Sequence, residues 1–354
     1  MVNSKNVIFI VSCMEKGGTQ RVISNLANYL APLYNVTIIM IIDSKCEYVL
    51  EDNIHLVDFS NRSNSKPRQM IRIVKKLHHY FREIQSENST VFSFLVNTNL
   101  MVLFSSIGKG IPIIISERND PKNDGRGFMA RLSAYCLYPL AKKIVFQTNY
   151  AMQLFPHWIK KKGVIISNPL SGIDCVRNPE TSREKKIVSV GRLILQKNHE
   201  MLIKAFAEVS TIFPDYSLTI YGEGPLRSAL ENQIKELDLE DRVFLPGVVD
   251  DIYQRIINAS VFVLSSNYEG QSNALLEAMS LGLPCITTNA SGINELVNSR
   301  TGILVKVGDV ADLSNALISL LSDSALREEM GKAASQSLES LSIEHIINKW
   351  LELI

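Results

Sequence analysis

The chain has 354 residues, of which 46% are hydrophobic and 21% charged; this composition is typical of a folded globular protein and excludes one that is largely disordered. Its length allows two domains with separate cores. The net charge of +1 is uneven, because residues 1–165 hold 21 Lys and Arg against 11 Asp and Glu, whereas residues 166–354 hold 16 against 25. The basic first half predicts an anionic partner, or else a solvated basic face. Nucleic acid is not expected, since no nucleic-acid-binding motif accompanies the charge.

The first apolar run, Val7–Met14, is short and leads into Glu15 and Lys16, so it predicts a buried strand and not a signal peptide. No stretch is apolar enough to span a bilayer, since the best candidate, residues 91–116, is interrupted by polar and glycine residues. The five cysteines are odd in number and form no C-x-x-C pair, which indicates neither a disulfide framework nor a zinc site. We therefore expect a cytoplasmic protein.

Short apolar runs alternate with segments of helical period in the first half of the chain. The predicted strands are Val7–Ser12, Val36–Ile42, Ile54–Asp58, Thr90–Leu95, Pro112–Ser116 and Lys143–Gln147. The predicted helices are Thr19–Leu30, Arg68–Ile84, Leu100–Ser106 and Arg126–Leu140. Strand–helix alternation of this kind predicts a parallel sheet covered by helices on both faces.

The alternation pauses in a turn-rich connector over residues 168–186 and then resumes. The second set of predicted strands is Ile187–Val190, Ser217–Tyr221, Arg242–Leu245, Ser260–Leu264, Pro284–Thr288 and Gly302–Val305. The helices between them are His199–Ile212, Leu226–Leu237, Asp251–Ile257, Ser272–Leu281, Val310–Leu321 and Ala325–Leu338. We predict two Rossmann-like domains in series, over residues 1–168 and 187–337, with a ligand in a cleft facing the carboxyl ends of both sheets.

Two strand-to-helix turns carry candidate phosphate-binding residues. Gly17 and Gly18 follow the first strand and open a helix, where a bare backbone and free N–H groups suit phosphate, although such glycines can also serve only the turn. Gly191-Arg192 follows the first strand of the second half, with Lys197 five residues after Arg192. These two cations can converge on a diphosphate, or they are surface residues beside a turn.

Two glutamates eight residues apart form the third candidate. Glu269 lies in a loop and Glu277 on the second turn of the helix predicted from Ser272. Carboxylates accept hydrogen bonds from sugar hydroxyls, and the first N–H groups of the helix, at Asn273, Ala274 and Leu275, suit a diphosphate. The alternative is a loop acid and an exposed helix residue.

Taken in order, these motifs resemble the family-4 retaining glycosyltransferases of the GT-B fold, which has two Rossmann-like parallel-sheet domains facing a cleft. The resemblance covers nearly the whole chain and is sharpest in the second half. The matching segments are residues 190–193, 196–198, 220–226, 244–247, 265–270, 277–279, 282–284, 291–295 and 302–305.

The resemblance implies roles for particular residues. Arg192 and Lys197 would bind the diphosphate. Glu269 would bind hydroxyls of the transferred sugar, and Glu277 would bind the ribose. The backbone of Gly18 would lie close to the phosphate or sugar of the donor. The loop around Gly247–Asp251 would form one side of the nucleobase pocket. Retention of anomeric configuration and the absence of a metal or other cofactor are implied as well, and the sequence contains no Asp-x-Asp. A helix over residues 338–354 would pack back on the first, acceptor-binding domain.

One position departs from the family pattern. Many relatives place a histidine after the fifth strand, where this chain has Arg118, preceded by Glu117. Arginine stays protonated and cannot act as a base. Arg118 is therefore predicted to bind an anionic acceptor group or the donor phosphate. Glu117 is a possible proton acceptor, although retaining transfer lets the leaving phosphate oxygen take the acceptor proton.

Basic residues interleave with apolar ones around the predicted second helix, from Arg62 to Arg82, and again over Arg126–Lys143 and at Trp158–Lys162. Basic amphipathic helices suit an anionic membrane surface, although the apolar residues could simply cover the sheet. We expect peripheral docking on the inner face of the cell membrane, with a polyprenyl-diphosphate-linked saccharide as acceptor.

The sequence thus predicts a transferase that moves a hexose or N-acetylhexosamine from a nucleotide diphosphate sugar in surface-polysaccharide synthesis, such as that of O-antigen, capsule or exopolysaccharide. A UDP-sugar is the expected donor from family usage, with GDP-mannose as the alternative. Two other functions stay open. One is a sugar-nucleotide epimerase of the same fold, and the other is a non-catalytic nucleotide-sugar-binding subunit.

Overall fold

The structure is a computed structural model that describes residues 5–60, 66–170, 175, 177–178 and 181–354. It divides into two compact units. The first unit comprises Met1–Pro169 together with Glu344–Ile354, and the second comprises Leu170–Ile343. The predicted connector and Arg62 lie partly or wholly outside the described residues.

The described part of the first unit contains one parallel sheet of seven strands in the order β3-β2-β1-β4-β5-β6-β7. The strands are β1 (Asn6–Val11), β2 (Asn35–Met40), β3 (His55–Asp58), β4 (Ser89–Phe94), β5 (Ile113–Glu117), β6 (Lys143–Phe146) and β7 (Gly163–Ile165). The α-helices are α1 (Gly18–Leu30), α2 (Lys66–Glu83), α3 (Val96–Ser105), α4 (Phe128–Leu137), α5 (Asn149–Gln153) and α6 (His157–Lys160).

The second unit, within its described residues, has a parallel sheet of six strands in the order β10-β9-β8-β11-β12-β13. The strands are β8 (Glu184–Val190), β9 (Ser217–Tyr221), β10 (Val243–Gly247), β11 (Ala259–Leu264), β12 (Cys285–Thr288) and β13 (Gly302–Val305). The α-helices are α7 (His199–Ile212), α8 (Arg227–Glu236), α9 (Ile252–Ile256), α10 (Asn273–Ser280), α11 (Val310–Ser322) and α12 (Ser324–Gln336). The last helix, α13 (Ile343–Leu351), belongs to the first unit from Glu344 onward.

Burial on both faces explains why the strands are continuous apolar runs. In β1, Ile8 and Ile10 point into a core that includes Ile73 and Leu77 of α2. On the opposite face, Phe9 stacks on aromatic rings of β4, and Trp350 of α13 packs against the same two rings. Helix α13 thus completes the core of the first unit.

The strand order reverses beside β1 in one sheet and beside β8 in the other. In doubly wound sheets, ligands bind outside the carboxyl ends of the strands at such a switch point. The candidate residues follow these ends, since Gly17 comes after β1, Arg118 after β5, Gly191 after β8 and Glu269 after β11. The topology therefore gathers each unit's candidates at one edge of its sheet.

All twelve predicted strands are confirmed, while β7, α5 and α6 were not predicted. Helix α3 begins at Val96 and not at Leu100, because the polar Asn99 is buried in the helix and its Nδ2 donates to the carbonyl oxygen of Ser116 at 3.1 Å. None of the helices in the described ranges has the length and apolarity needed to cross a bilayer.

Candidate active site

Glycines in two neighbouring turns let the backbone and one lysine stem pack closely. A Cβ on Gly191 would lie 3.2 Å from Cδ and Cε of Lys197, so the bare Cα leaves room for that side chain. A Cβ on Gly222 would lie 2.0 Å from the carbonyl oxygen of Gly191, and Gly222 has a φ of 143°, which favours glycine. The Lys197 stem therefore lies against the carboxyl end of β8.

Hydrogen bonds join the loop that carries Lys197 to the loop that follows β11. Ser265 Oγ donates to the carbonyl oxygen of Lys197 at 2.9 Å. The Asn267 amide donates to the carbonyl oxygen of Gln196 at 2.8 Å, and Asn198 Nδ2 donates to Asn267 Oδ1 at 3.0 Å. Two segments that are distant in sequence are thus joined by hydrogen bonds.

This connection places Lys197 and Glu269 in an ion pair. Lys197 Nζ lies 2.6 Å from Glu269 Oε1, and the two side chains are only 15% and 6% exposed. Ser266 Oγ donates to the same oxygen at 2.5 Å. Glu269 Oε2 makes no hydrogen bond to a described residue, so one carboxylate oxygen and the remaining ammonium donors can reach a ligand.

Arg192 is arranged differently from Lys197. It is exposed in the turn after β8, and its guanidinium makes no ion pair or hydrogen bond within the described part of the chain. Its charge is therefore uncompensated and open to an anion from solvent. The convergence of Arg192 with Lys197 on one diphosphate stays a prediction.

Helix α10 follows the Glu269 loop and begins at Asn273, with Ser272 as its N-cap. Ser272 Oγ accepts from the amide of Leu275 at 3.4 Å, so this amide is already partly satisfied within the helix. Asn273 and Ala274 are partly exposed at the helix start, and Glu277 is partly exposed on the second turn, as predicted from the sequence.

Gly247 ends β10 beside the turn that contains Gly222. Its φ is 85°, and its carbonyl oxygen accepts from the Gly222 amide at 2.9 Å. A Cβ on Gly247 would lie 2.9 Å from Oε1 of Glu223, whose carboxylate is paired with Arg227. The backbone here is shaped for close packing, and its predicted place beside a nucleobase stays a prediction.

In the first unit, helix α1 begins at Gly18, and Gly17 is its N-cap in extended conformation. Side chains from residues 47 and 48 bind the backbone before the helix. Glu47 Oε2 accepts from the Lys16 amide at 2.8 Å, and Tyr48 Oη accepts from the Gly17 amide at 2.9 Å. The amides of Lys16 and Gly17 are therefore occupied in this structure.

Glu117, the last residue of β5, is 2% exposed and bound on both carboxylate oxygens. Arg126 Nη2 donates to Oε2 at 2.6 Å, and the Tyr138 hydroxyl donates to Oε1. Burial and the Glu117 charge raise the pKa of Tyr138 well above its ordinary value, so the phenol remains a donor. Both carboxylate oxygens of Glu117 are thus occupied in this structure, and its role as a proton acceptor stays a prediction.

Arg118 points into an aromatic cage. Its Cζ lies 5.2 Å from the ring centroid of Phe94 and 5.5 Å from that of Trp350, and the residue is 7% exposed. Nη1 donates to Asn168 Oδ1 at 2.7 Å, and Gln147 Nε2 donates to the same oxygen at 2.7 Å. Burial lowers the pKa of Arg118 to about 9, so the group is still charged at physiological pH.

The family described as Glycosyl transferases group 1 matches residues 176–337. This range contains β8 to β13, the Lys197–Glu269 pair and α10. Residues 176–337 are a glycosyltransferase group 1 domain. Two relatives extend the similarity along the chain. An uncharacterized glycosyltransferase of Haemophilus influenzae is 29% identical, with 97% of each chain covered.

The second relative, from Campylobacter jejuni, is named GalNAc-alpha-(1->4)-GalNAc-alpha-(1->3)-diNAcBac-PP-undecaprenol alpha-1,4-N-acetyl-D-galactosaminyltransferase. It is 27% identical over 98% of both chains. The crystal structure of Anabaena HepE in complex with UDP and glucose superposes with a TM-score of 0.86 at 18% identity, covering 98% of each chain. The protein is a glycosyltransferase, and the predicted GT-B fold is confirmed.

Several residues at the glycosyltransferase's candidate site were not found from the sequence. Ser266, which binds Glu269, lies in the matching segment 265–270, but the sequence assigned it no role. Tyr48, which binds Gly17, lies outside the matching segments. Trp350, in α13, could be connected to Arg118 only through the fold. Among the described residues, no group of three or more His, Cys, Asp and Glu side chains is placed to hold a metal ion. Metal independence stays a prediction.

We predict that the glycosyltransferase loses stability in acid because of His199, the first residue of α7. It is 3% exposed, and burial together with the charge of Lys197 lowers its pKa to about 4. In the unfolded chain a histidine titrates near 6.5, so the unfolded state gains a proton first as the pH falls. The free energy of unfolding should therefore decrease by about 3 kcal/mol as the pH falls from above 6.5 to 4.

Urea unfolding midpoints of the wild type and His199→Leu, compared at pH 7 and pH 4, measure this effect. The variant should lose less stability in acid than the wild type. His79→Leu, at a side chain that is 73% exposed, is the matched control and should follow the wild type. Equal acid sensitivity of the wild type and His199→Leu would contradict the assignment.

Proposed function

We propose that this glycosyltransferase moves a hexose or N-acetylhexosamine from a UDP-sugar to a saccharide carried on polyprenyl diphosphate, with retention of anomeric configuration and without a metal. The observation that carries the proposal is the Lys197–Glu269 pair at the carboxyl edge of the second sheet. It combines a cation suited to a leaving diphosphate with a carboxylate oxygen that is open to sugar hydroxyls.

In this proposal, the bond between the anomeric carbon and the phosphate oxygen breaks while the acceptor hydroxyl oxygen bonds to the same face of that carbon. The leaving phosphate oxygen takes the proton of the acceptor hydroxyl, so no protein base is needed. Lys197 and the exposed Arg192 stabilise the charge that develops on the nucleoside diphosphate. Glu269 orients the transferred sugar, and Glu277 orients the ribose. The backbone N–H groups at the start of the helix, at Asn273, bind the phosphates.

The named substrates of the relatives support the choice of donor and acceptor. The Campylobacter jejuni relative is named for transfer to a saccharide on PP-undecaprenol, and Anabaena HepE binds UDP and glucose. The basic first half of the chain suits a diphosphate acceptor. We therefore propose a place in the synthesis of a surface polysaccharide such as O-antigen, capsule or exopolysaccharide.

Incubation of the purified protein with labelled sugar nucleotides and a bacterial lipid extract tests the function. The panel includes UDP-glucose, UDP-galactose, their N-acetylhexosamine counterparts and GDP-mannose. Label in the lipid phase is the expected result, and EDTA should leave its rate unchanged. An isomerised donor without lipid label would favour the epimerase, and bound but unconverted donor would favour the non-catalytic subunit.

Helix α2 presents both faces that membrane docking requires. Ile73, Leu77 and Phe81 are at most 2% exposed and cover the sheet, whereas Met70 and Ile71 are 53% and 57% exposed. The same helix borders a groove of about 290 Å³, which is lined by Val74, Lys75, His78, His79, Arg82, Phe104 and Ser105. Exposed apolar side chains next to cations support peripheral docking on an anionic membrane, here the inner face of the cell membrane.

We expect the protein to float with phosphatidylglycerol vesicles at low salt and not with phosphatidylcholine vesicles. Reversing two exposed charges in Arg72→Glu/Lys75→Glu should weaken binding by at least about tenfold, since each basic residue near the surface contributes about 1 kcal/mol. The matched control, Lys185→Glu/Lys204→Glu, changes two exposed lysines of the second unit and should float normally. Flotation that is insensitive to the first pair of changes would contradict this docking surface.

A further inference from the structure

The guanidinium of Arg118 uses only part of its hydrogen-bonding capacity within the described residues. Nη1 donates to Asn168, whereas Nε and Nη2 are buried without a hydrogen-bond partner among the described residues. Nε and Nη2 form the side edge of the guanidinium, whose two parallel N–H groups match two oxygens of a phosphate or carboxylate. The two unpaired N–H donors therefore lie side by side and can bind one ligand in a bidentate manner.

Among the described residues, no carboxylate forms an ion pair with Arg118. Burial is the cause of the lowered pKa of Arg118. A buried cation with unmade hydrogen bonds costs free energy, and a group of this kind calls for a ligand or another specific explanation. Two further buried polar atoms on the same sheet face also lack a described partner, the Trp350 indole Nε1 and Ser116 Oγ.

Arg242 shows what a structural arginine looks like in this protein. Its Cζ lies 5.5 Å from the Phe206 ring, a stack like that of Arg118 on Phe94. All three of its nitrogens, however, donate to backbone carbonyl oxygens of residues 210, 213 and 216 at 2.9–3.3 Å. The aromatic stack alone thus does not account for the open edge of Arg118.

We propose that the Nε–Nη2 edge of Arg118 binds a phosphate oxyanion of a substrate in a bidentate manner, next to the Trp350 ring, whose centroid lies 5.5 Å from Arg118 Cζ. The proposal rests on the proposed function, which brings two diphosphates to the enzyme. Arg118 lies at the carboxyl edge of the first sheet, in the basic half of the chain, whereas Lys197 serves the second sheet. The polyprenyl diphosphate acceptor is therefore the expected source.

Trp350 makes the binding measurable. The chain has two tryptophans, and Trp158 is 58% exposed, so Trp158→Phe leaves the Trp350 indole as the fluorophore. Farnesyl diphosphate, a short polyprenyl diphosphate, should change its fluorescence in a saturable way, and adding Arg118→Met should raise the Kd at least tenfold. A parallel titration with UDP identifies the donor as the source if UDP and not farnesyl diphosphate gives the Arg118-dependent change. If neither ligand does so, the proposal is overturned.

Thermal unfolding separates ligand binding from a structural role. Arg118→Met should keep or raise the Tm, because it removes an uncompensated buried charge, whereas Arg242→Met should lower it. An equal fall in both variants would overturn the proposal. If lipid transfer fails in the wild type while the Arg118-dependent fluorescence change persists, the proposed function falls and the oxyanion site stands. Wild-type transfer by Arg118→Met would overturn the oxyanion site alone.

Discussion

Replacing Lys197 by methionine should lower the rate of sugar transfer by at least about 10²-fold, since it removes a cation that stabilises the leaving diphosphate in a largely desolvated position. Methionine keeps the apolar stem that lies across Gly191. The loss should appear in kcat more than in the KM for the donor, because charge on the leaving group grows in the transition state. Initial rates over a range of UDP-sugar concentrations measure the change.

Two further variants show whether Lys197→Met acts through catalysis or through folding. The single change leaves Glu269 buried without its partner and should lower the unfolding midpoint. The double variant Lys197→Met/Glu269→Gln removes both charges and should recover stability but not activity. Lys204→Met breaks an ion pair of the same 2.6 Å length at 50% and 59% exposure, so activity and stability should hardly change. Restored turnover in the double variant would refute the catalytic role.

Replacing Glu269 by alanine should reduce kcat by about 10- to 100-fold, since hydrogen bonds to a charged group contribute about 1.5–3 kcal/mol. Oε2, which accepts no hydrogen bond from a described residue, is the atom expected to accept from the hydroxyls of the transferred sugar. UDP lacks that sugar, so its Kd should change far less than kcat does. Calorimetric titration with UDP and steady-state rates with the UDP-sugar provide the two measurements.

Glu269→Gln is the matched variant for this prediction, because it keeps the size of the side chain and an oxygen that can accept from Ser266. It should retain more stability than Glu269→Ala and still lose activity. Glu200→Ala, at the exposed partner of Lys204, should have no effect on either quantity. A Glu269→Ala enzyme that turns over normally would show that the sugar is held elsewhere.

Most of the fold could be read from the sequence because strands of a parallel sheet are apolar on both faces and alternate with amphipathic helices. Val7–Val11 and Val261–Leu264 are two such runs, and all of their residues are at most 2% exposed. Local chemistry misled the prediction at α3, where Asn97–Asn99 look like a loop. Burial of Asn99 with its side chain bonded to β5 stabilises helix there instead.

The candidate site could be located but not assembled from the sequence. Gly191, Lys197 and Glu269 were recognised because they follow strand ends, and the reversal of strand order explains why such positions gather at one sheet edge. Their pairing could not be predicted, because Lys197 and Glu269 are 72 residues apart and are brought together by contacts between two loops, among them those of Ser265 and Asn267.

The sequence by itself determined the two sheets, the order of the motifs and the chemical types at the strand ends, since these depend on periodicity and on residues within a few positions of each other. Only the tertiary structure decided which of these side chains are paired. Glu117 is bound by Arg126 and Tyr138. Its neighbour Arg118 packs against Phe94 and Trp350, and one edge of its guanidinium has no hydrogen-bond partner in the part of the chain that the structure describes. Solvation and pairing depend on neighbours that are remote in sequence, so they follow from packing and not from the local pattern.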